Sequence, residues 1–114
     1  MIKAQFSVDK HSGSIILKLS GHAGAAKEGE DIICASASIL AYTVAQMAQF
    51  MYERKELRKK PTIKMEKGDA EIVVKPKKAM YAETLHTFFV AQVGFTLLAH
   101  NYPQYVELEM FGEV

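Results

Sequence analysis

The sequence predicts an α+β fold, a single sheet of antiparallel type with two helices packed on it. Five short segments alternate apolar and polar residues, which is the period of a half-buried strand. Two longer stretches repeat apolar residues at steps of three and four, the period of an amphipathic helix. The order is strand, strand, helix, strand, strand, helix, strand. One apolar side per strand calls for one covering layer, and the helices supply it.

Ile2–Val8 is the first strand, with Ile2, Ala4, Phe6 and Val8 to one side and Lys3, Gln5 and Ser7 to the other. Asp9–Gly13 has turn chemistry. Ser14–Ser20 resumes the alternation, so the two segments read as a hairpin. Ala23–Glu30 is small, polar and without period, which predicts a mobile loop containing Ala23, Gly24, Gly29 and Glu30. Asp31 is the expected N-cap of the first helix, its carboxylate accepting from free amides. Ile33, Ala37, Leu40, Val44, Met47 and Met51 form the apolar stripe of that helix, which is expected to run to about Lys55. Pro61 stops it. Thr62–Lys67 and Ala70–Lys75 alternate around a turn at Gly68-Asp69. The second helix is expected over Ala79–His100. Tyr81, Leu85, Phe88, Gln92, Phe95 and Ala99 line one side, and Phe89, Val93 and Leu97 widen the apolar face. Asn101 suits the left-handed position after a helix, and Pro103 prevents continuation. Tyr105–Phe111 is the last strand, with Val106, Leu108 and Met110 inward.

Composition narrows the function. A chain of 114 residues, 49% hydrophobic, builds one domain over residues 1–114, with a core that needs no disulfide or metal staple. Fourteen Lys and Arg against thirteen Asp and Glu leave a net charge of +1. Chains that work mainly by gripping nucleic acid are much more basic, so no direct nucleic-acid binding is expected. The single Cys34 cannot form an internal disulfide. The N-terminal MIKAQFSVDK lacks the apolar core of a secretion signal, and no apolar run reaches the roughly 20 residues of a membrane helix. A cytoplasmic location without membrane contact is expected.

The chemistry concentrates in Gly21–Ser38, GHAGAAKEGEDIICASAS. Cys34 lies close to the expected helix start, where unpaired amides and the helix dipole favour a thiolate, the nucleophilic form. A nearby imidazole would help form that thiolate and later protonate a leaving amine. His22 stands at the end of a strand, and the loop after it returns the chain to the helix. The amides of Cys34 and Ala35 are candidate donors to a developing oxyanion. Free cysteines are also often inert small hydrophobes in a core, and on chemistry alone both readings stand. A redox-sensing thiol is a third. On the same footing Asp31 is a cap, and Ser38 is a serine one turn beyond Cys34. His11, His22 and Cys34 lack the paired spacing of a zinc site, so neither metal nor cofactor is expected. The basic run Arg54–Lys60 reads as a solvated helix end.

The motif resembles the ribosomal-processing cysteine protease family, Prp. That family's pattern is approximately Gly-His-Ala, a loop, Gly-x-Asp-Ile-Val-Cys-Ala, and Ser four residues after the Cys. Gly21-His22-Ala23, Gly29, Asp31-Ile32, Cys34-Ala35 and Ser38 match it, with Ile33 where Val is common. Element order and length agree along nearly the whole chain. The resemblance implies a cysteine endopeptidase that removes the N-terminal extension of large-subunit ribosomal protein 27. It would cut after an aromatic residue and before a small one. It implies Cys34 as nucleophile, His22 as general base and acid, and Asp31 and Ser38 in support. It also implies a homodimer, for which the apolar second helix is a candidate surface, and a loop over residues 23–30 that admits the peptide. The rival reading is a non-enzymatic ribosome-associated module that holds its target or ribosomal RNA through Arg54–Lys60.

Overall fold

The computed structural model describes residues 1–22 and 28–112, and of residues 28–31 it describes the backbone course alone. Strands β1 (Ile2–Asp9) and β2 (Ser14–Gly21) form the expected hairpin. They are followed by helix α1 (Glu28–Glu53), strands β3 (Thr62–Glu66) and β4 (Asp69–Val74), helix α2 (Tyr81–Asn101) and strand β5 (Val106–Glu109). A short 3₁₀ turn, Lys78–Met80, leads into α2.

The five strands make one sheet in the order β3-β4-β2-β1-β5. Every pairing is antiparallel except β1 with β5, which run parallel, so the sheet is mixed rather than purely antiparallel. The parallel pair follows from α2, a crossover that returns the chain to the starting end of the sheet. Register aligns the apolar residues across strands. Ala4 stands opposite Leu19 and Leu108, and Phe6 opposite Leu17, which stands opposite Ile72. This face is buried beneath both helices. Ile33, Ala37, Ala41, Val44, Ala48 and Met51 of α1 and Phe88, Ala91, Phe95 and Leu98 of α2 join it in one core. The other face presents Lys3, Gln5, Lys18, Glu71 and Lys64.

The small residues of α1 let the helix lie close to the sheet, and the two helices meet where Leu40 seats on Gly94. A Cβ at Gly94 would come within 2.7 Å of a Leu40 methyl. By length and composition alone, Ile32–Glu53 is apolar enough to cross a membrane, contrary to the expectation that no run reaches that length. About a third of that window is buried, while Ile32, Ile39, Tyr42, Phe50 and Tyr52 stay exposed.

Several expected boundaries move. Helix α1 begins at Glu28, so Gly29 and Glu30 are helical rather than loop, and Asp31 is three residues inside the helix rather than at its N-cap. Acidic residue types at 28, 30 and 31 suit a helix start, where the dipole favours negative charge. Ala23 and Gly24 of the expected loop lie outside the described residues. The second hairpin turns on Lys67-Gly68, because Glu66 pairs with Asp69. Asn101 remains in α2, its side-chain amide donating to the Leu97 carbonyl at 2.8 Å. Strand β5 stops at Glu109, which leaves Met110 exposed at 56%. Phe111 packs inward instead, 5.4 Å from the Phe6 ring between centroids. The buried Gln92 fixes it there by accepting the Phe111 amide at 2.8 Å. Phe89, Val93 and Leu97, expected to widen the core face of α2, are exposed.

Candidate active site

Two elements from opposite ends of the motif meet at one end of the sheet. Strand β2 ends at Gly21, and His22 follows immediately. Gly21 has φ +87°, a conformation that side chains disfavour, and a Cβ there would collide with the Met1 carbonyl. Glycine at 21 therefore lets the chain turn sharply out of the sheet and deliver His22. Helix α1 delivers the other group. Ile33 is buried, which anchors the helix, and its neighbour Cys34 is half-buried at the surface of the layer.

His22 and Cys34 open onto the same cleft, of about 370 Å³. One wall is α1, where Cys34, Ser38 and Tyr42 recur every four residues and so form one ridge of the helix. The floor is Ile2 and Leu19, and the opposite wall is the β3–β4 turn from Met65 to Ala70. The wall includes groups the sequence did not suggest. Tyr42, 54% exposed, could have been found from its spacing to Cys34 and Ser38. The β3–β4 turn could not, because only the pairing of β2 with β4 brings it beside His22.

That turn bears directly on the imidazole. Gly68 has φ +76°, and the His22 ring lies over its bare Cα. A Cβ at Gly68 would stand 2.7 Å from both Cε1 and Nε2. The Gly68 carbonyl also accepts the Gly21 amide at 3.0 Å, so the turn holds both the backbone before His22 and the ring itself.

The remaining expected groups distribute as follows. Ser38 lines the cleft with Cys34. The side chain of Asp31 lies outside the description. Cys34 and Ala35 are the seventh and eighth residues of α1, counted from Glu28. A helix leaves only its first four amides unpaired, so the amides of Cys34 and Ala35 sit in the helical ladder and are not free to bind an oxyanion. For the same reason the dipole, which acts mainly within the first turn, has less hold on Cys34 than the sequence suggested. His11 lies in the β1–β2 turn, at the far end of these strands from His22. Among the described residues no three His, Cys, Asp or Glu side chains gather to hold a metal.

Comparison with known proteins places the chain in a family. The family model described as cysteine protease Prp matches residues 1–107. The chain belongs to the cysteine protease Prp family. It is therefore a cysteine endopeptidase by family. No curated protein sequence gives a significant match. Among solved structures, SMU.848 from Streptococcus mutans is similar at 24% identity and TM-score 0.67, over 98% of this chain and 96% of that one. The essential ribosomal processing protease Prp from S. aureus, solved with a substrate peptide and with a covalently linked product peptide, matches at 18% identity and TM-score 0.67. That match covers 98% of this chain and the whole of the other. At such identities the likeness is one of fold, and the Prp fold here is the mixed sheet with both helices on one face.

Proposed function

We propose that this chain is a cytoplasmic ribosomal-protein processing endopeptidase, with Cys34 as its nucleophile and His22 as its general base and acid. The observation that carries the reading is the shared cleft. Two separate elements bring an imidazole and the chain's single thiol onto one opening, in a family of cysteine proteases. His22 takes the proton of the Cys34 thiol, and the thiolate attacks the scissile carbonyl carbon. The imidazolium then gives its proton to the leaving amine as the C–N bond breaks, which leaves a thioester on Cys34. A water molecule, deprotonated by His22, attacks the thioester and releases the new carboxyl end.

The substrate under this reading is the N-terminal extension of large-subunit ribosomal protein 27, cut after an aromatic residue and before a small one. The cleft suits an aromatic side chain, since Ile2, Leu19, Tyr42 and Met65 line it. Ser38 is in reach of the same opening, and the family resemblance implies a supporting role for Asp31 as well. With the Cys34 and Ala35 amides held in the helix, donors to the oxyanion come from elsewhere on the cleft. The homodimer belongs to the same proposal and is supported by the outward stripe of α2.

The test is intact-mass measurement of the precursor ribosomal protein after mixing with the wild type or with Cys34→Ala. One cut by the wild type and none by the variant is expected. A precursor that a cell extract processes but neither protein cuts would leave the chain as a non-enzymatic binding module.

A further inference from the structure

The fold joins two basic segments that lie apart in the sequence. After α1 the chain runs through Arg54–Lys60, and after β4 it runs through Lys75–Lys78. Their backbones pair. The Arg58 amide donates to the Lys75 carbonyl at 2.8 Å, the Lys77 amide donates to the Glu56 carbonyl at 2.9 Å, and Leu57 and Pro76 form a bridge. Leu57, 5% exposed, and the buried Pro76 fasten the pair to the body. Above them stand Arg54, Lys55, Arg58, Lys59, Lys60, Lys77 and Lys78, all exposed, with Lys75 half-buried.

These eight are more than half of the fourteen cations of the chain, and the two segments together with Glu53 hold only two carboxylates, Glu53 and Glu56. One of those, Glu56, is already bound by Arg54 at 3.0 Å. The rest of the chain carries six cations against eleven carboxylates. The near-neutral total thus conceals a polarised molecule with one strongly positive edge.

We propose that this edge binds single-stranded nucleic acid by its phosphates, without base sequence preference. Surfaces that sit on anionic membranes combine lysines with inserted apolar side chains. No large apolar side chain is exposed within residues 53–62 or 75–80, and the flanking Tyr52 and Ile63, 40% and 39% exposed, are too few to form an inserted apolar face. Tyr52, 40% exposed on the last turn of α1, adjoins the edge and offers a face for a base to stack on. Cys34 lies about 30 Å away along α1, at 1.5 Å per residue, so a bound strand leaves the cleft open.

The test is fluorescence anisotropy of a labelled twelve-nucleotide poly(U), titrated with the protein at several KCl concentrations. Two variants remove the edge one segment at a time, R58E/K59E/K60E and K77E/K78E. K3E/K18E on the open face of the sheet is the control. Each edge variant is expected to bind at least tenfold more weakly, with a salt slope lower by about one for each phosphate no longer neutralised. The control should stay within about twofold, and all three should keep the wild-type melting temperature and peptide cleavage. The proposal is overturned if the control weakens as much as the edge variants, or if only one segment matters. Tighter binding to phosphatidylglycerol vesicles, or equal competition by polyglutamate, would also overturn it.

Discussion

Gly68 lies directly against the His22 ring. A methyl at Gly68 would sit 2.7 Å from two ring atoms, inside contact distance, so the ring must move by several tenths of an ångström. Misplacements on that scale can cost roughly 10- to 100-fold in rate. A φ of +76° makes any side chain there costly to stability as well, and Gly13 separates the two effects. It has φ +72° in the β1–β2 turn, with nothing within 4 Å of the place a methyl would occupy. Gly68→Ala and Gly13→Ala should each lose about 1 kcal/mol of stability by urea unfolding. Only Gly68→Ala should lower kcat, by roughly 10- to 100-fold, with KM nearly unchanged. Equal kcat in the two variants would show that the turn does not position the imidazole. The same turn is tied by Lys64, whose Nζ reaches Asp69 at 2.7 Å. The hydrogen bond from Lys64 holds the Asp69 carboxyl below its ordinary 3.8, and its counterpart raises Lys64 above 10.5. A lowered carboxyl stabilises fully above its unfolded value and loses that support as pH falls. A raised ammonium stabilises fully below its unfolded value and loses support as pH rises. The stability difference between wild type and Lys64→Met should therefore be flat from roughly pH 5 to pH 9, and should shrink below about pH 4.

At the scale of elements, the end of α1 carries a correctable strain. Lys55 has φ +62°, the Glu56 amide donates to the Met51 carbonyl at 2.9 Å, and the Lys55 amide donates to the Tyr52 carbonyl at 3.0 Å. These two bonds make a Schellman motif with lysine where glycine is usual. Lys55 is exposed, so Lys55→Gly removes little contact while relieving the left-handed backbone. It should raise stability by about 1 kcal/mol and Tm by roughly 4 °C, read by calorimetry. A fall in Tm would mean that the added freedom of glycine in the unfolded chain outweighs the strain. This ending is not legible in the sequence, since Lys55 has no turn signature of its own. Strand alternation and helix period are legible because each reports burial on one side, and burial on one side is what the sheet and its helices do. The start of α1 is hard to read because Gly29 marks a loop by propensity, whereas acidic residues at 28, 30 and 31 favour a helix N-terminus. Met110 and Phe111 exchange their expected roles for a tertiary reason. Gln92 accepts the Phe111 amide, which ends β5 and swings the aromatic ring onto Phe6. At the site, chemistry makes His22 and Cys34 candidates, and the resemblance of their motif to the family is what singles them out. Gly68 is not legible, because its closeness to His22 comes from the pairing of β2 with β4.

The molecule as a whole leaves one side of its helix layer uncovered. Phe89, Val90, Val93 and Leu97 on α2 are 48, 59, 46 and 60% exposed. Between the helices a groove of about 310 Å³ runs past Leu40, Met47, His86 and Val90. Contiguous apolar surface of this kind mostly marks an interaction site, and α2 is the helix on which the proposed homodimer would close. In a two-fold dimer each patch meets its own copy, so one substitution acts twice. Val93→Glu would place a carboxylate in each protomer within the shared apolar contact, where neither finds a partner. Wild-type protein should elute in light-scattering chromatography at twice the chain mass of 12.7 kDa, and Val93→Glu at the chain mass itself. Stability should follow. Because association stabilises the folded state by mass action, the Tm of the wild type should rise with protein concentration, and that of Val93→Glu should not. A wild type that elutes as a single chain with a concentration-independent Tm would assign the α2 stripe to some other partner.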